Sequence, residues 1–237
     1  MRSVKAGVNT LAEASPASTG FSVLDEKLGW FFKRGRNFLV VGAPMSGKKL
    51  FSRRFLYQGL LQDEAGVLTC ASNSAEKEKQ SFAELGMDTS KFEEEGLLVY
   101  VDFYSKTVGL PCSESSYIKY VSSLMDLPGY NVIIRDLTTQ FWRREKPLRL
   151  VFDSISTLLL YNEVKTVVRF LHVLFGRLRS VGAISLILVE EGSHPAEAMA
   201  SLASIADGIL ETKAEEGKYY LRARSELGGL EWTAYHV

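Results

Sequence analysis

Short apolar runs bounded by glycine alternate along this chain with longer stretches whose apolar residues recur every three or four positions. Residues 37–41 form one such run, between Gly35 and Gly42, and read as a buried strand. Residues 48–61 carry Leu50, Phe51, Phe55, Leu56 and Leu60 at helical spacing. Strands follow at 67–71 and 97–103, with a helix over 75–85 between them. Residues 113–127 and 131–144 read as two helices split by the breaker pair Pro128-Gly129. The run 148–152 is a strand that ends at Asp153. An amphipathic helix over 163–179 then presents Val164, Val167, Val168, Leu171, Leu174 and Leu178. A strand at 184–189 and a helix at 196–206 come next, and short strands at 208–211, 219–224 and 231–236 close the chain. At the other end, 20–28 sets Phe21, Leu24 and Leu28 on one helical face. Residues 12–19, rich in Ala and Ser around Pro16, read as a loose arm. The expected organisation is an N-terminal arm over 1–19 and a single domain over 20–237.

Strands that alternate with helices predict βαβ units. The fold class is therefore α/β, a central, mostly parallel sheet flanked by helices. The last strands follow one another directly, with a Glu216-Gly217 turn between two of them, and extend the sheet antiparallel at the C-terminal edge.

Composition narrows the function classes. Lys plus Arg and Asp plus Glu each number 28, so the formal net charge is zero, and a global electrostatic argument for nucleic acid is missing. Cys70 and Cys112 give neither a disulfide framework nor a metal site. Residues 1–19 hold no apolar signal core, and no run approaches the roughly eighteen apolar residues of a membrane span. These features predict a cytoplasmic protein without a membrane segment.

The chemistry is concentrated after the first strand. Gly42-Ala43-Pro44-Met45-Ser46-Gly47-Lys48-Lys49 fits G-x-x-x-x-G-K, with an apolar strand before it and an amphipathic helix after it. In such a loop the backbone N–H groups wrap an anion, the helix adds its positive end, and the lysine reaches the outer phosphates. The fold class becomes that of a P-loop NTPase, and the expected ligand is ATP or ADP. Lys49 stands where the motif calls for Ser or Thr, whose hydroxyl would bind Mg²⁺. An ammonium has no lone pair for a metal. Two unit charges 4 Å apart repel by about 4 kcal/mol at an effective dielectric near 20, and a divalent ion doubles that. Lys49 therefore speaks against Mg²⁺, and either it contacts phosphate in the metal's place or it turns to solvent beside a vestigial loop. Asp153, at the end of an apolar strand, is the second acidic element of such sites, the Walker B acid.

Several further motifs resemble the KaiC-like branch of the RecA superfamily, common in archaea. Thr19-Gly20-Phe21-Ser22-Val23-Leu24-Asp25-Glu26-Lys27-Leu28-Gly29 resembles its T-G-x-x-x-L-D-x-x-L-G entrance. Val151-Phe152-Asp153-Ser154-Ile155-Ser156 resembles its V-x-D-S-[LI]-S strand, and Ala206-Asp207-Gly208-Ile209 its A-D-G-[VI] strand start. Arg222-Ala223-Arg224 sits where the family carries K-x-R. The resemblance spans about 19–237 and implies a RecA-like core, ATP binding and homo-oligomeric rings. In such rings Arg222 and Arg224, which alternate on one strand face, would act in trans on the neighbour's nucleotide. A solvated edge face is the other reading of that pair.

The family also implies adjacent glutamates after the second strand, which activate water. Here Ser72 and Asn73 hold those positions, and neither is a base at neutral pH. Glu190 and Glu191, at the end of the 184–189 strand, point toward the same crevice; one of them could substitute as base, and two solvated loop acids are the plainer reading. The expectation that combines these features is a nucleotide-binding regulatory or signalling module with lost or strongly reduced hydrolysis, working with a protein partner. Two alternatives stay open: a slow ATPase, and a RadA-paralogue-like recombinase accessory that binds single-stranded DNA.

Overall fold

The structure, a computed structural model, describes residues 16–113 and 115–236. In chain order the elements are α1 (Ser22–Leu28), β1 (Asn37–Gly42), α2 (Lys48–Leu61), β2 (Ala65–Cys70), α3 (Ala75–Glu84), α4 (Ser90–Glu94), β3 (Leu98–Asp102) and α5 (Tyr104–Thr107). Next come β4 (Ile118–Tyr120), α6 (Leu127–Arg143), β5 (Leu148–Asp153), α7 (Ile155–Tyr161), α8 (Val164–Ser180), β6 (Ile184–Glu190) and α9 (Ala196–Ala203). The chain closes with β7 (Gly208–Glu215), β8 (Lys218–Ser225) and β9 (Gly228–Tyr235).

The strands form one nine-stranded sheet in the order β4-β3-β2-β5-β6-β1-β7-β8-β9. Pairing is parallel from β4 through to β7 and antiparallel for β7–β8 and β8–β9. This is the mostly parallel sheet with an antiparallel C-terminal edge that the alternation predicts. The two-residue period of the strands splits the core in two. Phe38 and Val40 of β1 pack with Phe51, Phe55 and Leu56 of α2 on one face. Leu39 faces the other way, with Tyr130 and Ile134 of α6 and Leu171 and Leu174 of α8.

The stretch 113–127 departs from its helical expectation. Its described residues form a loop that contains β4, a short strand paired to β3. Pro128-Gly129 does not split two helices but lies in the first turn of α6. Proline is tolerated there because a first-turn N–H has no partner within the helix. Asp126 caps that turn, with Oδ1 accepting from the Gly129 N–H at 2.8 Å and Oδ2 from the Ser122 hydroxyl at 2.5 Å. Replacing Asp126 by Ala is expected to cost about 1 kcal/mol of unfolding free energy, read from the urea midpoint. The short helices α4, α5 and α7 carry too few turns to show a periodicity.

Residues 1–15 of the expected arm lie outside the described residues. Its end is not loose. The Ala17 N–H donates to Phe32 O at 2.9 Å, and the Thr19 N–H and hydroxyl both donate to Asp25 Oδ1, at 2.6 and 2.7 Å. The packed chain thus starts ahead of Gly20.

Arg149 of β5 ties this segment to the core while fully buried. Its guanidinium donates to Ser18 O at 2.6 Å, Phe55 O at 2.8 Å and Glu64 Oε2 at 2.7 Å. Arg34 pairs with the same Glu64. Gly59 of α2 leaves room for the group, since a Cβ there would collide with it. Arginine on a parallel strand flanked by apolar neighbours carries no sequence signal of this role.

Candidate functional site

Parallel pairing brings the C-terminal ends of the central strands to one rim, where open α/β sheets bind ligands. The registers Gly42↔Glu190, Gly42↔Thr212 and Cys70↔Asp153 align the loop after β1 with the acidic ends of β6 and β5. The glycine-rich loop connects β1 to α2 through Gly47, at φ +89°, which opens the helix. A Cβ at Gly42 would collide with Ser46 and Thr212, whose hydroxyls bond each other at 2.8 Å. A Cβ at Gly47 would lie 2.5 Å from Cδ1 of Tyr219, on β8. Ala43, Pro44 and Met45 are exposed at the loop tip, while Ser46 and Lys48 are buried. The first N–H groups of α2 have no partners inside the helix. The loop and this helix end therefore fit an anion such as a phosphate chain.

Both lysines meet carboxylates. Lys48 Nζ donates to Glu190 Oε2 at 2.7 Å and to Ala43 O at 2.9 Å. Lys49 Nζ lies 2.7 Å from Asp153 Oδ2 and donates to Ser72 Oγ at 2.8 Å. The Ser72 hydroxyl in turn donates to Asp153 Oδ2 at 3.1 Å, and the Ser72 N–H donates to Asp153 O. Asp153 is buried, and its Oδ1 has no partner among the described residues. Burial pushes its carboxyl above the ordinary value, and the Lys49 charge opposes that rise.

Asn73 does not face a phosphate lysine. Its amide donates to Glu78 Oε1 at 3.1 Å. Glu78 is buried and takes two guanidinium bonds from Arg53, at 3.0 and 2.8 Å, on its Oε2. Arg53 and Glu78 are site residues that sequence reasoning missed. Arg53 stands one helical turn after Lys49, so its side of α2 was legible. Glu78 was masked by the nearer Glu76, which is exposed. Glu191 is exposed, while its N–H bonds Gly42 O at 3.0 Å. Arg222 and Arg224 share one face, as their alternation implies, and both pair with Glu211 of β7, at 2.6 and 2.8 Å. The Arg222 guanidinium also lies 4.9 Å from the Trp232 ring.

The residues present do not fit Mg²⁺. A magnesium ion needs oxygen ligands at about 2.1 Å in an octahedron. Beside Asp153 the neighbour is the Lys49 ammonium, which offers none. Among the described residues no helix is long and apolar enough to cross a membrane.

Known proteins share this fold. A UPF0273 protein of Pyrococcus furiosus is 33% identical over 140 residues, 59% of this chain and 54% of the relative. A UPF0273 protein of Aeropyrum pernix is 26% identical over 201 residues, 84% of this chain and 77% of the relative. The chain spans about half the length of the Pyrococcus relatives it matches. Among solved structures, a KaiC-like protein of Pyrococcus horikoshii superposes with a TM-score of 0.71 at 20% identity, over 95% of this chain and 96% of that one. The flagellar accessory protein FlaH of Methanocaldococcus jannaschii gives 0.60 at 16% identity, over 90% and 88%. The family model described as "ATPase: KaiC" matches residues 17–226, and the chain belongs to that KaiC ATPase family, with its RecA-like fold.

Proposed function

We propose that the chain from Ala17 onward works as one nucleotide-binding module, with a regulatory or signalling role and with ATP hydrolysis lost or strongly reduced. The observation that carries this reading is Lys49. Its ammonium lies 2.7 Å from Asp153 Oδ2, where a metal-dependent P-loop site would keep its cation. A fixed positive charge there suits the negative phosphates of ATP or ADP, and it leaves no hydroxyl to bind Mg²⁺. The loss of a base at Ser72 and Asn73 supports the same reading from a second position. Ser72 is engaged with Lys49 and Asp153, and Asn73 with Glu78. In this reading Gly42, Ala43, Pro44, Met45, Ser46, Gly47, Lys48 and Lys49 form the loop that binds the phosphates. A ring of copies would set Arg222 and Arg224 toward a neighbour's nucleotide, which requires Glu211 to release them. The output of such a module is contact with a protein partner rather than nucleic acid, for which the net charge offers no attraction.

Titration calorimetry with ADP and ATP, in Mg²⁺ and in EDTA, tests this beside a phosphate-release assay. The expected result is binding that changes little between the two conditions and turnover at or below background. Binding abolished by EDTA would sink the Lys49 assignment. Turnover near one per second, the low end of ordinary enzymes, would favour the slow-ATPase reading with Glu190 or Glu191 as base.

A further inference from the structure

Glu190 stands on Lys48 by construction. Its backbone N–H donates to the Ser156 hydroxyl at 2.9 Å, which pins the end of β6 to α7. The next N–H, of Glu191, is fixed to Gly42 O. Between these two anchors the carboxylate reaches Lys48 Nζ at 2.7 Å, from 142 positions away in sequence. The lysine side chain is 4% exposed and the glutamate 26%, so the pair lies mostly out of water but open on the carboxylate side. The other Lys48 contact, Ala43 O, belongs to the loop itself. Beside this pair, Lys49 is matched by Asp153 and Arg53 by Glu78. Lys48, Lys49 and Arg53 are thus each matched by a carboxylate, and a phosphate that approaches any of them meets a competing anion.

We infer that Glu190 is an internal anion that competes with phosphate for Lys48, and so sets which phosphate ligands the loop accepts. The inference rests on the phosphate-binding reading above and names the residue that regulates that site. A phosphate reaches Lys48 by exchanging one charge-assisted bond for another, which yields little net gain. A lone phosphate has only that exchange to offer. A diphosphate or triphosphate also engages the loop and helix N–H groups along its length. The glutamate therefore lowers the affinity of every phosphate ligand, and only di- and triphosphates have enough further contacts to stay bound. It also keeps the buried ammonium partnered in a protein that carries no nucleotide.

The test measures binding of orthophosphate, pyrophosphate and ADP by calorimetry to the wild type, Glu190→Gln and Glu197→Gln. The amide keeps the size of Glu190 and one acceptor for Lys48 but removes the charge. Glu197→Gln removes the same charge from exposed α9 and serves as the control. Glu190→Gln is expected to bind orthophosphate, pyrophosphate and ADP each roughly tenfold more tightly. The control is expected to match the wild type. Without ligand, Glu190→Gln is expected to melt earlier than the wild type, and pyrophosphate to raise its melting temperature by more. If Glu190→Gln does not fold, Glu190→Asp draws the carboxylate back by one methylene and is expected to tighten binding by a smaller factor. A wild type that binds ADP, with charge variants at Glu190 that bind it equally or more weakly, overturns the inference and leaves the nucleotide reading standing. Failure of pyrophosphate and ADP to bind any of these proteins overturns both.

Discussion

In a Lys49→Ala protein, nucleotide affinity is expected to fall roughly ten- to a hundredfold, with the loss equally large in EDTA. A charge-assisted contact to phosphate contributes about 1.5–3 kcal/mol, which converts to that range. The upper end is not expected, because the Lys49 side chain is 33% exposed and water screens part of its charge. The same change leaves the buried Asp153 with the Ser72 hydroxyl as its remaining partner. Burial already pushes that carboxyl up, and Lys49 is the charge that holds it back, so Asp153 should bind its proton at higher pH in the variant. A carboxyl raised in the folded state takes up protons on folding. Stability therefore falls as pH rises from the unfolded value through the folded one, and in Lys49→Ala this fall should reach further toward neutral pH. Calorimetry of ADP binding and urea unfolding at several pH values check the two halves. Unchanged affinity in the variant would remove Lys49 from the phosphate site.

Arg149→Leu is expected to destabilise the fold by about 3–5 kcal/mol, the usual result of removing one member of a buried ion pair. Arg149 is wholly buried and Glu64 nearly so. Leucine would leave the Glu64 carboxylate with Arg34, would take the side-chain donor from Ser18 O, and would leave Phe55 O with its helical bond alone. The Glu64 carboxyl is held low by its hydrogen bonds to Arg149 and Arg34, against the opposing effect of burial. Losing Arg149 should let it rise. Removing the charge on both sides, with Arg149→Leu and Glu64→Gln together, should recover part of the loss, because no uncompensated carboxylate remains. The measurement is the guanidinium or urea midpoint of each single variant and the double. Strict additivity of the two single effects would argue against direct coupling.

Local signals in the sequence carried the frame of the fold. The runs 37–41, 148–152 and 184–189 are apolar because both faces of a parallel strand are covered, and they sit within one or two residues of β1, β5 and β6. The loop from Gly42 to Lys49 was legible because its glycines and lysine have backbone reasons for their spacing. The stretch 113–127 was not. Its apolar residues suggested a helix, but Ile118 pairs with Tyr100 of β3, and a three-residue edge strand has no period to read. Pro128-Gly129 misled because a breaker pair and a first helical turn share the same residues, and only the Asp126 cap separates them. At the site, sequence located Lys48, Lys49, Asp153, Ser72 and Glu190 but not their pairing. Which carboxylate meets which lysine depends on strand order, since β5 and β6 stand between β2 and β1. Glu78 and Arg53 were missed for the same reason: their meeting is set by the packing of α3 beside α2.

The place of β1 in the sheet also governs when the phosphate loop can exist. Its neighbours are β6 and β7, and Asn37 at its start bonds Ser185 and Asp207, 148 and 170 positions further along. During synthesis β2, β3, β4 and β5 leave the ribosome as a contiguous block that can pair within itself. The strand that bears the loop emerges first and waits for β6 and β7 before both its edges are paired. At about 5–20 residues per second, Phe38, Leu39 and Val40 wait on the order of ten seconds or more for their partners. A nascent chain that stops short of β6 has the glycine-rich sequence but no strand beside it to aim the loop. A ligand of the loop could therefore act only on the finished domain and not on the start of its folding.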